Sequence, residues 1–145
     1  SDVYKRQVME SEDGVAEERL RQGSGTILLV DDEEMIIEVG RPMLEALGYE
    51  VLVAKGGRDA LEIYEEYGHR IDMVILDMIM PGMNGGETYD RLKEINPDIR
   101  VLLSSGYSIN GEAKEIIRRG CTAFIQKPFN IKDLSRKIGE VLSGQ

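Results

Sequence analysis

Five short apolar runs alternate along the chain with segments in which apolar residues recur near helical spacing. The first run, Thr26 to Val30, is continuous and stops at acidic residues, which is typical of a strand buried on both faces of a sheet. We predict strands at 26–30, 50–54, 71–76, 100–104 and 122–126. We predict helices at 33–47, at 57–67, over a segment ending near 95, at 110–119 and after the fifth strand.

The connections between these elements are short, and parallel strands joined through helices follow right-handed crossovers. The alternation therefore predicts the α/β class, with a doubly wound, five-stranded parallel sheet and helices on both faces. Pro42 falls inside the first helix, where it removes a backbone hydrogen bond, so we expect a bend there.

The chain has 145 residues and an ordinary apolar content, which suits one globular domain. Residues 1–25 carry many charges and end in Gly-Ser-Gly, so we predict a linker or tail that is disordered or partly helical. We place the domain at 26–143 and a short tail at 144–145.

The charge and cysteine content narrow the classes of function. A net charge of -9 argues against nucleic-acid binding by this domain, because phosphate backbones are held by clustered Lys and Arg. Cys121 is the only cysteine, which excludes an internal disulfide and fits a reducing compartment. The chain has no apolar run of about 18 residues and no secretory signal pattern, so we predict no membrane span and a cytoplasmic location.

Acidic residues follow two predicted strands, and a lysine follows another. Asp31 and Asp32 come after the first strand, Asp77 after the third and Lys127 after the fifth. The carboxyl ends of parallel strands converge on one edge of the sheet, where ligands bind. Crowded carboxylates stay ionised together only beside a cation such as Mg²⁺, and the ammonium group suits an anion. The pattern predicts a phosphoryl group on or near a carboxylate, between a metal and Lys127.

Each of these residues also has an ordinary interpretation when it is taken alone. An Asp-Asp pair usually forms a turn or a helix N-cap, and a single lysine is usually a solvated charge. Ser105 alone would be a satisfied hydroxyl, and His69, the only histidine, would be a surface or capping residue. The joint placement of acids, hydroxyl and lysine after successive strands favours the functional interpretation.

Four motifs together resemble the receiver domain of two-component response regulators. They are Val-Asp-Asp-Glu at 30–33, Leu-Asp at 76–77 with Met-Pro-Gly-Met-Asn-Gly at 80–85, Ser-Ser-Gly-Tyr at 104–107, and Lys-Pro-Phe at 127–129. The resemblance extends from Thr26 to Ser143 and implies the flavodoxin-like (βα)5 receiver fold.

The resemblance implies a role for each residue of the predicted site. Asp77 is the phosphoacceptor, which takes a phosphoryl group from a phosphohistidine of a histidine kinase or phosphotransfer domain. Asp32 and Asp77 ligate Mg²⁺, or Mn²⁺ as an alternative, together with the backbone carbonyl of Ile79, and Asp31 acts through water. Lys127 pairs with the phosphoryl oxygens.

The resemblance also implies a conformational switch. Ser105 matches the hydroxyl of the family, whereas Ser104 should point the other way along the strand. Phe124 matches the aromatic switch position and is expected to turn inward when phosphorylation draws Ser105 toward the phosphate. The responding face, made of helix 4, strand 5 and helix 5, could also form a homodimer. Apolar Ile79 and bulky Tyr107 should hinder water and lengthen the lifetime of the phosphorylated state.

Several alternatives have to be compared with a free phosphoacceptor domain. The chain could be the receiver segment of a hybrid sensor histidine kinase, or a docking module that works without phosphorylation. A phosphatase of the haloacid dehalogenase type is disfavoured, because Ile79 stands where a second acid is needed. A flavin-binding module is disfavoured because its phosphate loop would here be acidic. We therefore expect no enzyme activity beyond receiving and slowly losing the domain's own phosphoryl group.

Overall fold

The computed structural model describes residues 23–106, 111–121 and 123–143. Five parallel strands form one sheet, as the sequence predicts, and their order is β2-β1-β3-β4-β5. The strands are β1 (Thr26–Val30), β2 (Glu50–Ala54), β3 (Met73–Asp77), β4 (Val101–Ser105) and β5 (Ala123–Gln126). The strand order changes direction between β1 and β3, so the two strands that end in acidic residues are direct neighbours.

Five helices connect and follow the strands. They are α1 (Glu34–Ala46), α2 (Gly57–Tyr67), α3 (Gly85–Ile95), α4 (Gly111–Arg118) and α5 (Ile131–Leu142). Helix α1 continues through Pro42. The third strand begins later than predicted, because Ile71 still donates its N–H to Gly68 of a preceding 3-10 turn at 3.1 Å. The predicted ends at Asn110 and Thr122 lie outside the described residues.

The sheet is covered by helices on both faces, so alternate residues of each strand enter different cores. On one face the strands pack against α2, α3 and α4, and on the other against α1 and α5. The central strands are buried along their whole length. This burial leaves the ends of the strands as the places where polar side chains can meet solvent and one another.

Two helix starts hold the loops that follow β3 and β5. The side chain of Asn84 accepts a hydrogen bond from the N–H of Glu87 at 2.9 Å, and Asn130 accepts from Lys132 at 2.8 Å. Gly85 is required where α3 begins, because a Cβ there would lie 2.6 Å from the carbonyl oxygen of Asp77. The close approach of Gly85 turns the loop back against the end of β3.

The ends of the domain as predicted from the sequence stay predictions. The N–H of Gly23 donates to the carbonyl of Leu47 at 2.7 Å, and the carbonyl of Gly25 accepts from Glu50 at 2.8 Å. Among the described residues, no helix has the length and apolar character that crossing a membrane requires.

Candidate functional site

Lys127 lies where β5 ends, with its ammonium group among three carboxylates. Its Nζ lies 3.0 Å from Asp31 Oδ2, 2.9 Å from Glu33 Oε1 and 3.2 Å from Asp77 Oδ1. Its N–H donates to the carbonyl of Ser105 at 2.7 Å, and the bond to the following Pro128 is cis. Lys127 is therefore fixed through its backbone to the end of β4, while its side chain reaches across to the ends of β1 and β3.

The carboxylates are brought together by the order of the strands. Asp31 follows β1 and Asp77 ends the adjacent β3, and both are buried. Oxygens of Asp31, Glu33 and Asp77 all lie within 4.8 Å of one another. Two backbone groups also orient the acids, since Glu33 N–H donates to Asp31 Oδ1 at 2.9 Å and Ile79 N–H to Asp77 Oδ1 at 3.4 Å. A compact set of oxygen ligands results, which suits a hard divalent cation.

Burial and charge shift the protonation of the two central groups. Burial raises the pKa of Asp77 to about 6, helped by the negative charge of Asp31 and opposed by Lys127. Burial by itself lowers the pKa of Lys127, but hydrogen bonds to Glu33 and Asp31 and the charge of Asp77 outweigh it and raise this pKa. Lys127 therefore stays charged at neutral pH, and Asp77 is a carboxylate that gains from additional positive charge.

A cavity of ≈ 470 Å³ opens beside these groups. Its lining combines acidic side chains, the ammonium group, one apolar side chain and a glycine, namely Asp32, Glu33, Asp77, Ile79, Gly106 and Lys127. A space that borders both carboxylates and an ammonium group can hold a cation and an anion together. The cavity has room for a metal ion and a group of the size of a phosphoryl.

The structure brings most of the predicted site residues together. Asp31, Asp77 and Lys127 are in direct contact, and exposed Ile79 lines the cavity with Asp32. Asp32 lies outside the group of three close carboxylates, in which Glu33 takes part instead. Glu33 belongs in the sequence to a run of four acids, and its residue type alone does not single it out, because any residue of such a run can serve as a helix cap or a solvated charge.

The two serines at the end of β4 lie on opposite faces by the alternation of the strand. Ser104 is paired in register with Asp77, and its buried Oγ has no hydrogen-bond partner among the described residues. Ser105 is buried, and Gly106, which follows it, lines the cavity. Phe124 is half-buried against the core under α2, α3 and α4. Tyr107 lies outside the described residues.

Comparison with known proteins identifies the class. Residues 27–139 match the family model of the response regulator receiver domain. The chain belongs to this family, and it is a phosphoacceptor domain of two-component signalling.

Individual relatives agree with this assignment. The chain is 37% identical over 123 residues to the sensor kinase CckA of Brucella abortus. The aligned region covers 85% of this chain but only 13% of that kinase. It is 30% identical over 108 residues to the polar-differentiation response regulator DivK of Brucella anthropi, covering 73% of this chain and 86% of DivK. A receiver domain protein from Clostridium thermocellum has a similar structure, with a TM-score of 0.78 and 32% sequence identity. The match covers 82% of this chain and 94% of that protein.

Proposed function

We propose that Asp77 is the residue that accepts the phosphoryl group. The observation that carries this proposal is the position of its carboxylate, which is buried at the end of β3, borders the cavity and lies 3.2 Å from Lys127. A carboxylate oxygen of Asp77 attacks phosphorus, and the bond from phosphorus to the donor histidine nitrogen breaks. The electron pair goes to the imidazole, and Asp77 becomes an acyl phosphate.

The donor set around Asp77 fits Mg²⁺, with Mn²⁺ as an alternative. A bound ion would be held by carboxylate oxygens of Asp32 and Asp77 and by the backbone carbonyl of Ile79, with Asp31 acting through a water molecule. The contact of Asp31 with Lys127 supports an indirect role for Asp31. The metal ion, when bound, neutralises charge on the phosphoryl oxygens during transfer. Lys127 releases part of its carboxylate contacts and pairs with the same oxygens.

Ser105 and Phe124 pass the change at the site to a surface. The Ser105 hydroxyl moves toward the phosphoryl group, and Phe124, which is half-buried in this structure, turns into the space that becomes free. The face of α4, β5 and α5 repacks and binds a partner or a second copy of the chain.

Exposed apolar side chains in the first half of α1 and at the cavity support docking of the phosphodonor at this edge of the sheet. Met35 is 75% exposed in the first turn of α1, Val39 follows one turn later, and Ile79 lines the cavity. A histidine can reach Asp77 only if its carrier covers this edge. The donor is therefore a histidine kinase or phosphotransfer domain with an apolar contact surface around the histidine.

Ile79 also bears on the lifetime of the phosphorylated state. The apolar side chain of Ile79 at the cavity hinders the approach of an in-line water molecule, and bulky Tyr107, two residues after Ser105 in the sequence, is expected to act in the same direction. The domain therefore loses its phosphoryl group slowly. Replacing both residues, as Ile79→Asn and Tyr107→Glu, should speed the loss, and slower loss from this double variant would contradict the proposal.

A second candidate for the biological context is supported by the similarity to CckA. The chain spans 13% of that sensor kinase, so it is comparable to one segment of a larger protein. The domain could therefore be the receiver segment of a hybrid histidine kinase, with the same chemistry at Asp77. A docking module that works without phosphorylation is disfavoured by the assembled acids and Lys127.

The test is the intact mass of the protein after incubation with Mg²⁺ and acetyl phosphate. We expect one phosphate adduct on the wild type, none on Asp77→Asn, and a normal adduct on Asp98→Asn, which removes an exposed acid elsewhere. An unmodified wild type, under conditions that label another receiver domain, would favour the docking module.

A further inference from the structure

Helix α1 carries a glycine where a larger residue would stabilise the helix. Gly40 lies in the interior of α1 and is buried, although glycine in a helix interior is less stable than alanine. A Cβ on Gly40 would lie 3.1 Å from Cδ2 and from Cε2 of Phe129, and 3.5 Å from Cδ2 of Leu29. The space that an alanine methyl group needs is already filled by the ring of Phe129.

Phe129 belongs to the same short segment as Lys127. The two residues are separated only by Pro128, whose ring fixes its own φ angle. The segment is held before this point by the bond from Lys127 N–H to Ser105 at 2.7 Å, and after it by Asn130, which caps α5. Because the segment is short and is held by hydrogen bonds on both sides, a shift of the Phe129 ring also moves Lys127.

Helix α1 carries the other part of the site at its start. Asp31 and Glu33 lie directly before the helix, and both contact the Lys127 ammonium group, at 3.0 Å and 2.9 Å. The contact between Gly40 and Phe129 thus joins the helix that follows the acids to the loop that carries the ammonium. It is a second connection between these two parts, separate from the ion pairs themselves.

We infer that Gly40 is a positioning residue. The missing side chain at position 40 leaves room in α1 for the ring of Phe129, and this packing fixes the position of Lys127 Nζ relative to Asp31 and Asp77. This inference rests on the proposed phosphoryl transfer to Asp77. A side chain at position 40 displaces the ring by a few tenths of an ångström, and Lys127 moves with it. The transfer rate falls because the Lys127 ammonium group no longer meets the phosphoryl oxygens at hydrogen-bond distance while Asp77 attacks phosphorus.

The experiment compares Gly40→Ala with Gly86→Ala by the rate of phosphorylation from acetyl phosphate. Gly86 is a matched control, since it lies in the first turn of α3 and a Cβ there would have its nearest neighbours at 3.6 Å. We expect Gly40→Ala to lower the maximal rate by about threefold to tenfold, because small misplacements of catalytic groups are costly. Gly86→Ala should keep the wild-type rate.

Two further measurements separate positioning from a loss of stability. The Mg²⁺ concentration for half-maximal rate should stay within about twofold of wild type in Gly40→Ala, because the proposed metal ligands lie at or just after the ends of β1 and β3 and none of them belongs to the segment that carries Phe129. Adding Phe129→Leu to Gly40→Ala should restore most of the rate, because the smaller side chain gives the methyl group room.

The outcomes also distinguish the two proposals. If the wild type takes up phosphate and Gly40→Ala does so equally fast, the positioning inference is wrong and the function stands. A rate loss in Gly40→Ala that Phe129→Leu deepens would likewise overturn the inference. If the wild type takes up no phosphate at all, the proposed function itself fails.

Discussion

Of the three carboxylates that Lys127 contacts, Asp77 is buried and Glu33 is exposed, and these two contacts are not equivalent. Glu33 is the nearer partner, at 2.9 Å against 3.2 Å for Asp77, but its side chain is 60% exposed whereas that of Asp77 is 2% exposed. Water screens the charge of Glu33 and can replace Lys127 as its partner, whereas buried Asp77 has no such replacement. Burial, rather than distance, decides how much each contact contributes to stability and to chemistry.

The largest effect on stability is expected from removing the ammonium group of Lys127, which contacts all three carboxylates. Lys127→Met leaves the buried carboxylates of Asp31 and Asp77 without their counter-charge, which should lower the free energy of unfolding by about 3 kcal/mol in metal-free buffer. Urea unfolding in the presence of a chelator measures this loss. The control is Lys55→Met, which breaks the exposed pair of Lys55 and Glu34 and should cost much less, because water screens this pair. Equal losses in the two variants would show that burial does not matter here.

A smaller effect of opposite sign is expected from Asp77→Asn. The pKa of Asp77 is raised from 3.8 to about 6 in the folded protein, so the charged form is disfavoured by folding. Between these two pH values the native state binds a proton that the unfolded state lacks, and stability falls as the pH rises through this window. At pH 7.5 the variant should be more stable than the metal-free wild type by about 1 to 2 kcal/mol.

Thermal unfolding of wild type and Asp77→Asn at pH 7.5 and at pH 4.5 tests this sign. The stability gap should be present at the higher pH and should narrow at the lower pH, where the folded wild type carries a protonated Asp77. A wild type that is more stable than Asp77→Asn at pH 7.5 in metal-free buffer would mean that Lys127 outweighs burial and holds the pKa of Asp77 low.

The exposed apolar side chains of α1 should matter for recognition of the phosphodonor domain and not for phosphoryl transfer at Asp77. The donor in this test is a phosphorylated phosphotransfer domain that labels the wild type. Met35→Glu combined with Val39→Glu should slow transfer from this donor about tenfold, which corresponds to about 1.4 kcal/mol. Labelling by acetyl phosphate should be unchanged, because the buried groups are untouched. Ile95→Glu serves as the control, since this exposed apolar residue ends α3 away from the cavity. A parallel loss with both donors would place α1 in the chemistry instead.

The smallest effect on stability is expected at Glu33 itself. Glu33→Gln removes an exposed partner of Lys127 and should change the free energy of unfolding by less than about 1 kcal/mol. Urea unfolding at low and at high salt measures it, and the difference from wild type should shrink in high salt. A loss close to that of Lys127→Met would abolish the distinction between the two contacts.

The sheet and the carboxyl edge were predictable because they follow from continuous apolar runs that end in charge. A strand buried on both faces, such as Thr26–Val30 or Val101–Ser105, leaves little freedom in placement, and the predicted strands agree with it within about two residues. Parallel order then brings Asp31, Asp77 and Lys127 to the same edge, and the structure places them in contact.

Other parts of the site depend on packing that the residue types do not reveal. Glu33 belongs to an acidic run, and only the path of the chain after β1 turns its carboxylate toward Lys127. Gly40 looks in the sequence like a weak point in a helix, and its reason becomes visible only with Phe129 beside it.

The contacts of Lys127 span nearly the whole domain, since Asp31 lies 96 residues before it and Asp77 lies 50 residues before it. No proteolytic fragment that ends before β5 contains the complete site. During synthesis, Asp31 and Asp77 are made before Lys127. They gain the ammonium group as a partner only after β5 has joined the edge of the sheet. The proposed acceptance of a phosphoryl group therefore requires that β5 is in place, because a fragment without β5 has the acids but lacks Lys127.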